Sequence, residues 1–173
     1  MASSLGKCIR FNETDVRVMG RSAAGVKCMK LSSDDYIVDM IVVDEGKDIL
    51  TISSNGYGKR TELSDYRTQT RAGKGVKAGN FNDKIGRLVN LRQVAENEDV
   101  ILVTNNGTLI RTHADSISKI SRSGMGVKVM RMQEGEYVVC ATVTDREETS
   151  ENGEEVAEIK AEENSNNLEN QDK

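Results

Sequence analysis

Short apolar runs alternate with polar breaks along the whole chain, and nowhere does a long 3.6-residue periodicity develop. Asp48-Ile-Leu-Thr-Ile-Ser53 and Asp99-Val-Ile-Leu-Val-Thr104 have strand length and β-branched content, and each run is followed closely by an Asn-Gly pair. Asn-Gly tolerates φ > 0 at both residues, which predicts a two-residue type I′ hairpin and a second strand after the turn. Further apolar runs at Ile37-Val-Asp-Met-Ile-Val-Val43, Ile85-Gly-Arg-Leu-Val-Asn-Leu91 and Tyr137-Val-Val-Cys-Ala-Thr-Val143 read as strands, with Val26, Val76 and Val127 beginning another set. The pattern predicts an all-β protein and excludes a bundle of helical repeats.

These elements recur. Arg21-Ser-Ala-Ala-Gly-Val-Lys27 returns as Arg71-Ala-Gly-Lys-Gly-Val-Lys77 and again as Arg122-Ser-Gly-Met-Gly-Val-Lys128, at spacings of 50 and 51 residues. Asn55-Gly-Tyr-Gly-Lys-Arg-Thr61 matches Asn106-Gly-Thr-Leu-Ile-Arg-Thr112 in the same register, and Leu5-Gly-Lys-Cys-Ile-Arg-Phe11 fills the slot in the first unit. A fixed period of about fifty residues with about four short strands per unit predicts propeller blades. The boundaries fall at 1–43 for a first blade incomplete on its N-terminal side, 44–94 for the second and 95–145 for the third. Trp is absent, which excludes the WD type, and the kelch signature is missing. Three blades fall short of the roughly four to eight that close a ring. The chain is therefore expected to be the end of a longer array, or to self-associate through its open blade edges.

Charge divides the chain. The 173 residues carry a net −4, but residues 146–173 hold 3 basic and 10 acidic side chains, leaving +3 on the remainder. A mildly basic body with an acidic tail follows, and the tail, too poor in apolar residues to offset its ordering entropy, is expected to be disordered. Three cysteines, odd in number and far apart, exclude a disulfide framework and a CxxC metal knuckle. Cys8, Cys28 and Cys140 read as small buried hydrophobes. No run has the length of a membrane span, no signal peptide opens the chain, and a cytoplasmic location is expected. The single His113 has no nucleophile at a suggestive spacing, and no phosphate-binding loop of the Walker type is present. No catalytic residue, metal or cofactor is expected. Tyr36, Tyr57, Tyr66 and Tyr137 read as packing residues.

The repeated residues resemble the C-terminal domain of the bacterial DNA gyrase A protein. The resemblance rests on Asn55-Gly-Tyr-Gly-Lys-Arg-Thr61 with Tyr66, Arg71 and Gly75-Val-Lys77, on Asn106-Gly-Thr-Leu-Ile-Arg-Thr112 with Arg122 and Gly126-Val127, and on Ile9-Arg-Phe-Asn-Glu13 with Asp15-Val-Arg17 and Met19-Gly-Arg21. It covers residues 5 to about 145. It implies a β-pinwheel, a propeller-like disc of six blades that exchange strands, of which this chain would supply the last three. It also implies a non-catalytic role: a basic rim that wraps double-stranded DNA and supports ATP-dependent negative supercoiling, in a bacterial, nucleoid-associated holoenzyme with the rest of the gyrase A protein and with the gyrase B protein. The family's Gln-Arg-Arg-Gly-Gly-Lys-Gly signature lies in a first blade not present here. Gln69-Thr-Arg-Ala-Gly-Lys-Gly75 echoes it, with Thr70 and Ala72 as departures. The equivalent domain of topoisomerase IV is the less similar relative.

Wrapping requires cations on a convex surface, where many modest phosphate contacts accumulate. The expected contacts are Arg17, Arg21 and Lys27 in the first unit, Lys59, Arg67, Arg71, Lys74 and Lys77 in the second, and Lys119, Arg122 and Lys128 in the third. Arg10, Arg60 and Arg111 occupy strand positions and are assigned a structural pairing with a carboxylate such as Asp15 or Asp65. The rival class is a protein-interaction propeller, which a body charge of only +3 leaves open.

Overall fold

The computed structural model describes residues 1–146. The expected acidic tail, apart from Arg146, lies outside the described residues. Among the described residues eleven strands form three antiparallel sheets. The first contains β1 (Ala2–Ser3), β2 (Lys7–Cys8), β3 (Ile37–Asp39) and β6 (Val76–Lys77), in the order β3-β1-β2-β6. The second contains β4 (Asp48–Ser53), β5 (Tyr57–Thr61), β7 (Leu88–Val94) and β10 (Val127–Lys128), in the order β10-β5-β4-β7. The third contains only β8 (Glu98–Thr104), β9 (Leu109–His113) and β11 (Val138–Asp145), in the order β11-β8-β9. The fold is the all-β, propeller-like architecture expected.

Sheets exchange strands along the sequence. The Val-Lys strand of the second unit completes the sheet of the first, with Lys7 opposite Lys77 and Cys8 opposite Val76. That of the third completes the sheet of the second, with Val127 opposite Gly58 and Lys128 opposite Tyr57. Val26-Lys27, the equivalent segment of the first unit, is not in a strand.

The hairpins differ from the two-residue type I′ turn. Asn55 and Asn106 do not have positive φ; only the glycines do, Gly6 at 76°, Gly56 at 76° and Gly107 at 86°. Gly56 N–H donates to the Ser53 carbonyl at 3.1 Å, and Gly107 to Thr104 at 3.1 Å. A turn closed on a left-handed glycine is the three-residue hairpin with a glycine bulge. It needs one residue with φ > 0 rather than two, and Gly takes that place at less cost than Asn.

The core sits between neighbouring sheets. One cluster joins the second and third units through Leu50, Ile52, Val94, Val100, Leu102, Ile117 and Val138. A second joins the first and second units through Ala2, Cys8, Ile49, Tyr66, Leu88 and Leu91. This is why β4 is buried on both faces, at five of its six positions, the polar Thr51 and Ser53 included. The inner strands β3, β7 and β11 touch one another from sheet to sheet. Asp39 on β3 binds Arg92, and it accepts from Asn90 Nδ2 and Leu91 N–H on β7 at 3.2 Å each. Asn90 Oδ1 in turn accepts from Ala141 N–H on β11 at 2.7 Å. Burial opposes ionisation of Asp39, but these three donors outweigh it and hold the carboxyl below the usual range.

Candidate nucleic-acid interface

With β3, β7 and β11 on the inner side, the exchanged strands β6 and β10 are the opposite, outer edges of their sheets. Each carries one exposed lysine, Lys77 and Lys128, at equivalent positions. Lys77 faces Lys7 across the ladder. Two ammonium groups directly opposite repel, and an anion between them relieves that repulsion. Lys128 faces Tyr57, with its Nζ 5.5 Å from the ring centroid, so the cation is steadied but stays exposed. Lys7 was not among the expected contacts; the signal for it is its register position opposite Lys77.

The loops leading into these strands hold two arginines in matching settings. Arg71 Nε donates to the Asp15 carbonyl at 3.2 Å, and its Nη1 binds the Lys27 carbonyl. Arg122 Nε donates to the Asp65 carbonyl at 3.2 Å, and its Nη1 binds the Lys77 carbonyl. Each therefore ties its own unit to the 3-10 turn and Val-Lys segment of the unit before, while remaining half-exposed. Arg17, Arg21, Lys27, Arg67 and Lys74 are exposed. Met125 stands at the position of Lys74 in the third unit, so that cation does not recur there.

Lys59 requires a correction. It is 2 % exposed, and its ammonium donates to the carbonyls of Ser121, Arg122 and Gly124, at 3.1 Å for the first and 2.9 Å for the last. Burial, with Arg122 nearby, pushes its pKa down to about 8. The equivalent residue of the first unit is Ile9, also buried, with its Cδ1 near the matching Gly73 loop. Lys59 is a strut beneath the third unit's loop and does not reach solvent. Lys119 is reachable but neutralised by Asp48 at 3.0 Å and Glu62 at 3.3 Å.

The strand arginines pair with carboxylates as expected in kind, though with other partners. Arg60 is buried, donates to the Ile117 carbonyl at 2.9 Å, and lies 3.4 Å from Asp48 and from Glu96. Arg111 pairs with buried Asp99 at 2.8 Å, and Arg10 with Glu45 at 2.9 Å. His113 Nδ1 lies 2.7 Å from Asp99, and that bond, then Arg111, holds the Asp99 carboxyl below its ordinary range against burial. Arg146 binds Asp115 at 3.0 Å and so belongs to the folded body rather than the tail. Of the cysteines only Cys8 is buried; Cys28 is half-buried and Cys140 is exposed, on a face of β11 that no other described residue covers closely. Tyr66 is buried, whereas Tyr36 and Tyr137 are exposed. Among the described residues no cluster of three or more His, Cys, Asp or Glu could hold a metal ion, and no helix is long and apolar enough to cross a membrane.

The family described as "DNA gyrase C-terminal domain, beta-propeller" matches residues 1–44, 47–95 and 98–145, one match per sheet unit. The chain belongs to this family. Its similarity to the DNA gyrase A protein of Pseudomonas aeruginosa is 41 % identity over 137 residues, 79 % of this chain and 15 % of that protein. For the Salmonella typhimurium gyrase A protein the identity is 41 % over 137 residues, 79 % of this chain and 16 % of the relative. The chain thus spans about a sixth of the gyrase A proteins it resembles. A solved DNA gyrase A C-terminal domain superposes with a TM-score of 0.78 at 29 % identity, covering 83 % of this chain and 49 % of that one. The C-terminal domain of DNA topoisomerase IV gives the same TM-score at 23 % identity, a likeness of fold.

Proposed function

We propose that this gyrase-type domain binds and wraps double-stranded DNA along its outer edge without itself catalysing a reaction. The observation that carries the reading is the recurrence of exposed cations at equivalent outer positions, Lys77 on β6 and Lys128 on β10, with Lys7 opposite the first. Around them lie Arg17, Arg21, Lys27, Arg67 and Lys74, all exposed. Arg71 and Arg122 divide their donors between the unit before and any bound phosphate. Lys59 and Lys119 are left out, the first because it is buried and the second because two carboxylates already hold it.

About six to eight phosphate contacts of this kind give a salt slope near −0.9 per contact, steep and independent of base sequence. In a bacterial cytoplasm the partners in this reading are duplex DNA, the remainder of the gyrase A protein after which its relatives are named, and, as a further part of the same proposal, the gyrase B protein. There the wrap would set the hand of the crossing used in ATP-dependent negative supercoiling. The test is a mobility shift on random-sequence duplex against salt, together with ligation of relaxed nicked plasmid in the presence of the protein. Sequence-independent, salt-sensitive binding with a linking-number change supports wrapping; absence of binding at low salt refutes it and favours a protein-interaction propeller.

A further inference from the structure

The two junctions within this chain are alike in backbone and different in side chains. At the first, β6 lies on β2; at the second, β10 lies on β5. Ala78 N–H donates to the Gly6 carbonyl at 2.8 Å, and Val129 N–H to that of Gly56 at 2.9 Å. A Cβ on Gly75 would lie 2.4 Å from the Cys8 carbonyl oxygen, and one on Gly126 2.7 Å from that of Gly58, so both approaches are equally close. In an antiparallel ladder such bonds flank a pair of residues not bonded to each other, the closer pair type, with Cα atoms about 4.5 Å apart. That pair is Lys7 and Lys77 at the first junction, and Tyr57 and Lys128 at the second.

The second junction satisfies itself. Lys128 Nζ stands 5.5 Å from the centroid of the Tyr57 ring, and buried Lys59 ties down the loop before β10 through the carbonyls of Ser121, Arg122 and Gly124. The first junction has neither device. Ile9 stands at the position of Lys59 and offers no donor, while Lys7 stands at the position of Tyr57, so two ammonium stems start side by side. Like charges directly opposite in a ladder are destabilising. Among the described residues neither lysine pairs with a carboxylate, whereas Lys47, Arg60, Arg92 and Lys119 each do. A third cation reaches the same edge. In a pair of this type each residue's carbonyl points away from the partner strand, and Arg122 Nη1 binds the one on Lys77 while its Nε donates to the Asp65 carbonyl at 3.2 Å. The loop before β6 also carries Ala72 in a left-handed conformation, at φ 67°.

We propose that an anion completes the first junction: Lys7, Lys77 and the Arg122 guanidinium hold one phosphate group between them, and that group locks β6 onto β2. A phosphate suits three donors arriving from different directions, because its tetrahedral oxygens accept separately and its charge offsets the opposed ammonium groups. A backbone phosphate of DNA and a free phosphate present this same chemistry. Resting on the reading of this edge as a phosphate-binding surface, the site requires a single phosphate group and no wrap. Its occupancy makes the hold of the second unit on the first depend on ligand, whereas the second junction holds unaided.

The test is amide-exchange protection at Ala78 and Val129 of the 173-residue chain, in chloride, in inorganic pyrophosphate at matched ionic strength, and with a random-sequence duplex. Matching the ionic strength removes simple screening as a cause. In chloride Ala78 should be less protected than Val129. Pyrophosphate at about ten times its dissociation constant should slow exchange at Ala78 about ten-fold and leave Val129 unchanged. Lys7→Tyr gives the first junction the pair found at the second, and Lys7→Glu sets opposite charges across the ladder. Both variants should protect Ala78 in chloride and abolish its response to pyrophosphate; a lysine with a merely structural role would lose protection instead. Protection by the duplex alone identifies DNA as the source of the phosphate, and protection by pyrophosphate identifies a free anion as sufficient. Pyrophosphate protection in a protein that binds no duplex would refute wrapping and leave this site standing. Equal protection of the two amides in chloride, equal slowing of both, no slowing by either ligand, or a pyrophosphate response that survives in Lys7→Glu would each overturn the proposal.

Discussion

Lys59 offers the sharpest test of which cations are structural. Lys59→Ala removes three buried methylenes beyond Cβ, about 2.4 kcal/mol at about 0.8 kcal/mol each. It also leaves the carbonyls of Ser121, Arg122 and Gly124 without their shared donor. Unsatisfied groups cost about 1–3 kcal/mol, while release of an ammonium from burial returns part of this. A net loss of about 3 kcal/mol is expected for Ala. About 1–2 kcal/mol is expected for Lys59→Met, which keeps the stem and removes only the charge. A lysine whose folded pKa is pushed down to about 8 binds fewer protons than the unfolded chain between that value and about 10.4. Its contribution to stability therefore rises with pH across that window. Burial also pushes the Cys8 thiol up to about 12, which works the opposite way above about 8.5. The informative quantity is thus wild type minus Lys59→Met, from urea denaturation at pH 7, 8 and 9.5, and that difference should widen with pH. DNA affinity of the folded Met variant should keep the wild-type salt slope. A Met variant with an unchanged urea midpoint and a slope reduced by about 1 would make Lys59 a phosphate contact and refute the reasoning.

Other substitutions address the junctions and the inner strands. Ala72 has φ 67°, a left-handed conformation that costs a non-glycine residue about 1–2 kcal/mol. Ala72→Gly should therefore raise the urea midpoint by the equivalent of about 0.5–1 kcal/mol after the entropic penalty of glycine, and a lower midpoint would show that the strain is not released. Gly126→Ala brings a methyl 2.7 Å from the Gly58 carbonyl oxygen at φ 90°, and should loosen β10 from β5, read as faster amide exchange at Val129. Unchanged protection there would contradict the role assigned to that glycine. Asp39 has a lowered folded pKa, so its contribution is present above about pH 3.9 and is lost as pH falls through the folded value. Asp39→Asn should flatten the acid limb of stability below about pH 4; parallel acid limbs in the two proteins would remove Asp39 from the account.

The repeat, the strands and the family resemblance were legible because equivalent side chains return at a constant interval. What remained hidden depends on contacts that cross between units. Asn55-Gly56 has the composition of a type I′ turn, yet only the glycine is left-handed, a distinction made by backbone geometry rather than residue type. Lys59 looks like a rim cation within Tyr57-Gly-Lys-Arg-Thr61, and its burial follows from the third unit's loop folding over it. A clue was present in Ile9 and Ile110, the apolar residues at the same position in the other units. Cys140 sits in an apolar run but is exposed, since among the described residues no further sheet packs on that part of β11. Arg71 and Arg122 were legible as recurring cations, whereas their second task depends on backbone carbonyls of the preceding unit, Lys27 and Lys77, 44 and 45 residues away in sequence.

The central claim is that exchanged edge strands carry the cations that duplex backbone follows. Its most direct measurement is the salt dependence of random-duplex affinity for the protein and for Lys77→Ala/Lys128→Ala, both exposed positions whose loss should leave the fold intact. The account predicts weaker binding uniformly across sequences and a log–log slope shallower by about 2. A double variant with the wild-type slope and affinity would contradict it.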